Sequence, residues 1–137
     1  MAFVLKQPDQ GARGIVQCMG SRLVSGDTST AVVIGGEPLP ANTLIRFVSK
    51  TLREVFNDSG PDTFTVGITG DTDALSELGD TDITDVATLF VNNPAGPPAT
   101  AGGFHLAAAG PVIATVGGAN QDGTTGIIDV YVFFTIL

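Results

Sequence analysis

The clearest pattern in the chain is its last stretch, Gly126-Ile-Ile-Asp-Val-Tyr-Val-Phe-Phe-Thr-Ile-Leu137. Ile128, Val130, Val132, Phe134 and Ile136 are apolar at every second position, which puts them on one face of a β-strand. The alternate positions, Ile127, Asp129, Tyr131, Phe133, Thr135 and Leu137, make a mixed face. An apolar face backed by a half-apolar one predicts a central strand, covered on both sides or lying at a subunit contact. The run is too short to cross a membrane as a helix, which takes about 20 apolar residues.

The rest of the chain reads as short strands between turns. Phe3-Val-Leu5, followed by Pro8, Gly11 and Gly14, predicts an N-terminal arm or edge strand over 1–14. A single domain then runs from 15 to 137. Strands are expected at Ile15–Met19 and Arg22–Val24 around Gly20, and at Ala31–Ile34, Ala87–Val91, Phe104–Ala108 and Val112–Val116. Thr63–Ile68 is a clear strand with Phe64, Val66 and Ile68 on one face. Turn signals fall at 25–30 and 57–62, and residues 117–123 read as a hairpin-like connection into the final strand. Asp71 or Asp73 is placed to cap one helical turn at 74–78. The stretch 92–103, rich in Pro, Gly and Ala, is a long loop of the contact-making kind.

One segment is ambiguous. Over Leu44–Phe56 the apolar residues Leu44, Ile45, Phe47, Val48, Leu52, Val55 and Phe56 share one side of a helical wheel. Arg46, Lys50 and Arg53 share the other. Periodicity alone favours a helix, whereas the β-branched and aromatic content suits a sheet with both faces partly buried.

Composition narrows the class. With 137 residues, 18 Gly and 8 Pro, the chain suits one all-β domain built from short strands and tight turns. Only 15% of residues are charged, so some apolar surface is expected to be covered by partner subunits. The net charge of −8 is unevenly spread. Residues 1–53 hold all six bases and three acids, and the remainder holds eleven acids and no Lys or Arg. A nucleic-acid partner needs clustered cations, so none is expected. The opening residues lack a basic stretch followed by a long apolar core, which points to synthesis inside the cell.

Catalytic chemistry has few residues to use. One cysteine, Cys18, and one histidine, His105, both lie in apolar strands, where a buried thiol and a structural imidazole are the ordinary reading. A lone histidine removes most zinc arrangements. The repeated Gly-Asp-Thr-Asp at 70–73 and 79–82 offers Asp71, Asp73, Asp80 and Asp82 as calcium ligands. Two imperfect copies fall short of a calcium-binding repeat array, and turn, cap and solvated surface account for them better. No phosphate-binding loop follows Gly117-Gly118, since the Gly-Lys-Ser/Thr step is missing. No cofactor and no enzymatic activity are expected.

Three pieces together resemble a known family. They are Leu39-Pro-Ala-Asn-Thr-Leu-Ile running on to Val55-Phe-Asn57; Phe64-Thr-Val-Gly-Ile-Thr-Gly-Asp-Thr-Asp-Ala-Leu75; and Val112-Ile-Ala-Thr-Val with Gly126-Ile-Ile-Asp-Val-Tyr-Val. Over roughly 38–137 this series is similar to the jelly-roll decoration, or cement, proteins of tailed-bacteriophage heads. The resemblance implies a jelly-roll-like antiparallel β-sandwich of about eight strands. It also implies a homotrimer on the capsid exterior that bridges major capsid protein subunits. Leu44–Phe56 would then be a long strand, with 57–62 turning as a hairpin into Thr63–Ile68. Contacts with partners are expected from Phe3, Leu5, Lys6, Arg13 and Arg22 near the arm, and from Tyr131 and Phe133 on the mixed face. The alternative from another class is a virion-displayed receptor- or glycan-binding sandwich, against which the absence of tryptophan and the single tyrosine count.

Overall fold

A computed structural model of the chain describes residues 2–57, 63–75, 103–117 and 122–137, together with the backbone of 88–91. Among these residues the chain forms β-strands and short 3-10 turns. The strands are β1 (Phe3–Lys6), β2 (Val16–Val24), β3 (Val32–Val33), β4 (Thr43–Glu54), β5 (Thr63–Ile68), β6 (Thr88–Val91), β7 (Phe104–Leu106), β8 (Val112–Gly117) and β9 (Ile127–Ile136).

They build two antiparallel sheets. One has six strands in the order β1-β2-β9-β4, with β6 and β7 both pairing along the far edge of β4. The other has three, in the order β3-β8-β5. From β2 onward the chain passes repeatedly from one sheet to the other, so strands joined in sequence mostly face each other across the core. That is the jelly-roll habit, and the protein is an all-β sandwich.

The final strand sits at the centre, as its pattern requires. β2 pairs with it from Val16↔Thr135 to Val24↔Ile127, and β4 from Thr43↔Ile136 to Glu54↔Ile127. Ile128, Val130, Val132, Phe134 and Ile136 are all buried and join one core cluster with Met19, Leu23, Val48 and Leu52 of the same sheet. Phe64 and Val66 of β5, and Val112, Ala114 and Val116 of β8, supply the opposing layer.

β4 resolves the ambiguous segment as a strand. Its alternation is broken because it carries two bulges against β9, one between Ile45 and Phe47 and one between Leu52 and Glu54. Each bulge inserts one extra residue, Arg46 and Arg53 respectively, and shifts the side-chain parity of the residues after it. Ile45, Val48, Lys50 and Leu52 therefore face the core. Lys50 is only 3% exposed there, with its ammonium 5.4 Å from the centroid of the Phe64 ring, an arrangement that offsets part of its desolvation.

Three local expectations change. The turn at 57–62 does not close a hairpin, because β4 pairs with β9, β6 and β7 while β5 pairs with β8. Residues 117–123 likewise do not join paired neighbours, since β8 lies in one sheet and β9 in the other. Turn residues do not fix whether the strands they connect pair alongside or lie in opposite sheets, and here both pairs lie in opposite sheets. Gly20 does not divide two strands either; β2 runs straight through it. Much of the 92–103 loop and the second half of the 74–78 turn lie outside the described residues. Within the described part, the Asp71 carbonyl accepts the Ile68 and Ala74 N–H groups, so the main chain holds the turn.

Asn57 ties the end of β4 to the approach of β9. Its Oδ1 accepts the N–H groups of Thr124 (2.9 Å) and Thr125 (3.0 Å), and its Nδ2 donates to Thr124 Oγ1. Gly126 follows with φ 143°, and a Cβ there would run into the ring of the buried Phe56. Only glycine meets both demands.

Candidate interaction surface

The core face of the six-stranded sheet is occupied, so its chemistry lies on the outer face. Register places Asp129, Tyr131, Phe133 and Thr135 of β9 there, beside Arg22, Gly20, Cys18 and Val16 of β2. On the other side of β9 stand Thr51, Ser49, Phe47 and Leu44 of β4. The two β4 bulges add Arg46 and Arg53, both of which reach back over β9.

One end of this face is a charge cluster. Arg22 grips Asp129 with two nearly parallel bonds, Nε to Oδ1 at 2.6 Å and Nη2 to Oδ2 at 2.8 Å. Arg53 adds Nε to Oδ2 at 3.1 Å. The carboxylate is almost fully covered by these two side chains, which themselves remain 32% and 56% exposed. Hydrogen bonds from Arg22 hold the Asp129 carboxyl below its ordinary range; burial opposes this, and Arg53 reinforces it. The Phe3 ring lies under Arg22, 5.7 Å from its guanidinium carbon.

The other end is aromatic and apolar. Phe47 and Phe133 stack across the strand pair with centroids 4.4 Å apart and planes 18° from parallel. Tyr131 lies over Gly20, where a Cβ would come within 2.5 Å of its ring carbon Cδ1. Gly20→Ala should therefore displace Tyr131 and lower stability by about 1 kcal/mol, as overpacking does, with a matching drop in urea midpoint. Beside these rings a shallow hollow of roughly 400 Å³ is lined by Lys6, Ile15, Val16, Cys18 and Phe133. Ile15 is 56% and Val16 61% exposed, high for β-branched residues beside a sheet. Burial pushes the Cys18 thiol up, against the pull of Lys6, which leaves it protonated and a poor nucleophile.

The sequence-predicted contact residues are partly gathered here. Phe3 and Lys6 sit opposite Arg22 and Gly20 through the β1–β2 pairing, so the arm lies along its own sheet as an edge strand. With Tyr131 and Phe133 they share the outer face. Leu5 is the extra residue of the β1 bulge and is half-buried. Arg13 stands apart in the exposed loop before β2, with Nη1 donating to the Gln10 carbonyl. Sequence reasoning missed Val16, Leu44, Arg46, Phe47 and Arg53. Only the strand register brings them to this face, and no local spacing announces it. Of the calcium candidates, Asp71 is exposed and Asp73 half-buried, while Asp80 and Asp82 lie outside the described residues. Among the described residues no three His, Cys, Asp or Glu side chains gather as a metal site, and no helix is long and apolar enough to cross a membrane.

No protein-family model matches the chain, and no curated protein sequence matches it. A search of solved structures finds a chain of the cyanophage Pam1 capsid asymmetric unit. The two are 16% identical and superpose with a TM-score of 0.62 over 97% of this chain and 93% of that one. The likeness is one of fold, and it takes in nearly the whole of two chains of similar length.

Proposed function

We propose that this chain is a structural protein of a phage virion, one that decorates the capsid exterior and bridges major capsid protein subunits as a trimer. The observation that carries the reading is the end-to-end likeness to a chain of a phage capsid asymmetric unit. It agrees with the independent resemblance of residues 38–137 to phage decoration proteins. The outer sheet face supports it: a stacked aromatic pair, exposed Ile15 and Val16, and partly exposed arginines are the composition of a protein contact. The action in this reading is mechanical. Each copy adds buried area across a seam between capsid subunits, and many copies on one shell add by avidity to resist the pressure of packaged DNA.

Co-sedimentation with purified, expanded heads of the virus that encodes it tests the proposal. Saturable binding at a fixed number of copies per head is expected. A chain that ignores heads yet binds host cells would instead be a displayed receptor-binding module.

A further inference from the structure

The two ends of the outer face differ in how their charges are met. At one end Arg22 and Arg53 hold Asp129, with Glu54 exposed next to Arg53, so two bases stand with two acids. At the other end lies the hollow beside Phe133, and two cations border it. Lys6 is one of its lining residues. Arg46, the extra residue of the first β4 bulge, reaches over β9 and donates from Nε to Thr135 Oγ1 at 3.3 Å. Thr135 is the cross-strand partner of Val16, which puts Arg46 beside the apolar wall of the hollow. Both cations are exposed, and among the described residues neither forms an ion pair. Asp9 is the acid of the hollow, and its Oδ1 is turned back on its own loop, where it accepts the Gly11 N–H at 3.0 Å. The charge left over is positive.

The apolar lining is as unmet as the charge. Ile15 and Val16 are exposed, and Cys18 and Phe133 are only half-buried. An aliphatic or aromatic side chain set there would take this surface out of water, and a carboxylate next to it would meet Lys6 and Arg46. A phosphate backbone would meet the cations but leave the apolar surface wet. A purely apolar segment would strip water from two cations without pairing them, which is costly. A segment that is apolar and acidic at neighbouring positions satisfies both demands.

We propose that this hollow is the docking point for a segment of a partner protein that carries a bulky apolar side chain next to an aspartate or glutamate. The inference rests on the virion reading above, which makes the capsid shell the source of that segment, and it names the chemistry the shell must present.

Two readouts keep the site and its source apart. The first is an amide NMR titration of the wild-type chain with the blocked dipeptides acetyl-Phe-Asp-amide and acetyl-Phe-Asn-amide. Shifts are expected at Lys6, Val16, Cys18, Arg46 and Phe133. The aspartyl probe should act at about two- to fivefold lower concentration than the asparaginyl one, as one exposed ion pair allows, and about 1 M salt should erase the difference. An equal response to both probes at low salt, or shifts centred elsewhere, would overturn the proposal. The second readout is co-sedimentation with expanded heads. Lys6→Gln and Arg46→Gln should each weaken binding about two- to fivefold. Thr63→Glu, at an exposed position on the other sheet, makes the same change in net charge and should leave binding unchanged. All three positions are exposed, so urea unfolding of each variant should match wild type. Full head binding by both cation variants would sink the site and leave the virion role standing. A chain that selects the aspartyl probe but ignores heads would uphold the site and sink the virion role. A lower assembly mass for Lys6→Gln/Arg46→Gln than for wild type in sedimentation equilibrium would make the occupant a second copy and overturn the proposal.

Discussion

Phe134→Ala is expected to destabilise the protein by about 3–5 kcal/mol, and Phe133→Ala, its neighbour in sequence, by about 1 kcal/mol. The two rings belong to opposite faces of β9. Phe134 is fully buried in the cluster between the sheets, so truncation leaves a cavity that packed neighbours on two layers fill only partly. Phe133 lies on the outer face, half-buried and stacked on Phe47, so its removal forfeits one aromatic pair and some area. Against a total stability of about 5–15 kcal/mol, the first loss threatens the fold and the second does not. Thermal and urea unfolding of both variants measure the contrast. Function should sort the opposite way: Phe133→Ala stays folded and loses partner affinity, whereas any loss in Phe134→Ala follows from unfolding. Equal destabilisation by both would mean that the outer face is a second core and not a contact surface.

The same strand shows how far the sequence could be read. Its even positions are apolar without exception, and all of them are buried, so a period of two sufficed to find the core face and the β class. The mixed odd face was legible as distinct too, and it was the basis for naming Tyr131 and Phe133, which the register places on the outer face. What could not be read was anything that depends on register. β4 looks helical because the extra residues Arg46 and Arg53 each reset its alternation, and because Lys50 stands where an apolar residue is expected. A bulge leaves no mark in a one-dimensional pattern except this loss of period. The pairing of strands was equally hidden. The turn signal at 57–62 falls almost wholly outside the described residues, and local chemistry does not say whether the strands it joins lie side by side or in opposite sheets. The make-up of the outer face was therefore legible only in part. Phe3, Lys6 and Arg22 were named as candidate contacts from the basic N-terminal arm, and Tyr131 and Phe133 from the alternation of the last strand, while Val16, Phe47 and the bulge arginines share their face only when β2, β9 and β4 are laid in register.

Asp129→Asn should cost about 2 kcal/mol at neutral pH, and the cost should disappear in acid. A carboxylate gripped by two partners and shut off from water is worth more than a surface pair of about 0–1 kcal/mol. It falls short of the 3–5 kcal/mol of a fully buried pair, because Arg22 and Arg53 remain partly solvated and can recover hydration once released. Asparagine keeps the shape and one acceptor oxygen but gives up the charge and the two-point grip. The pH sign follows from the lowered pKa. The folded carboxyl holds its charge to lower pH than the unfolded one, whose ordinary value is about 3.9. Its contribution is therefore whole above about pH 4 and is lost as pH falls through the folded value, where native Asp129 takes up a proton. Other acids also destabilise the protein in that range, so the quantity to follow is the difference between wild type and Asp129→Asn in urea unfolding from pH 7 down to pH 2. Convergence of the two at the acid end is expected. A gap that stays constant would assign the effect to packing of the side chain and would remove the charge cluster as the brace that holds β2, β9 and β4 in register beneath the outer face.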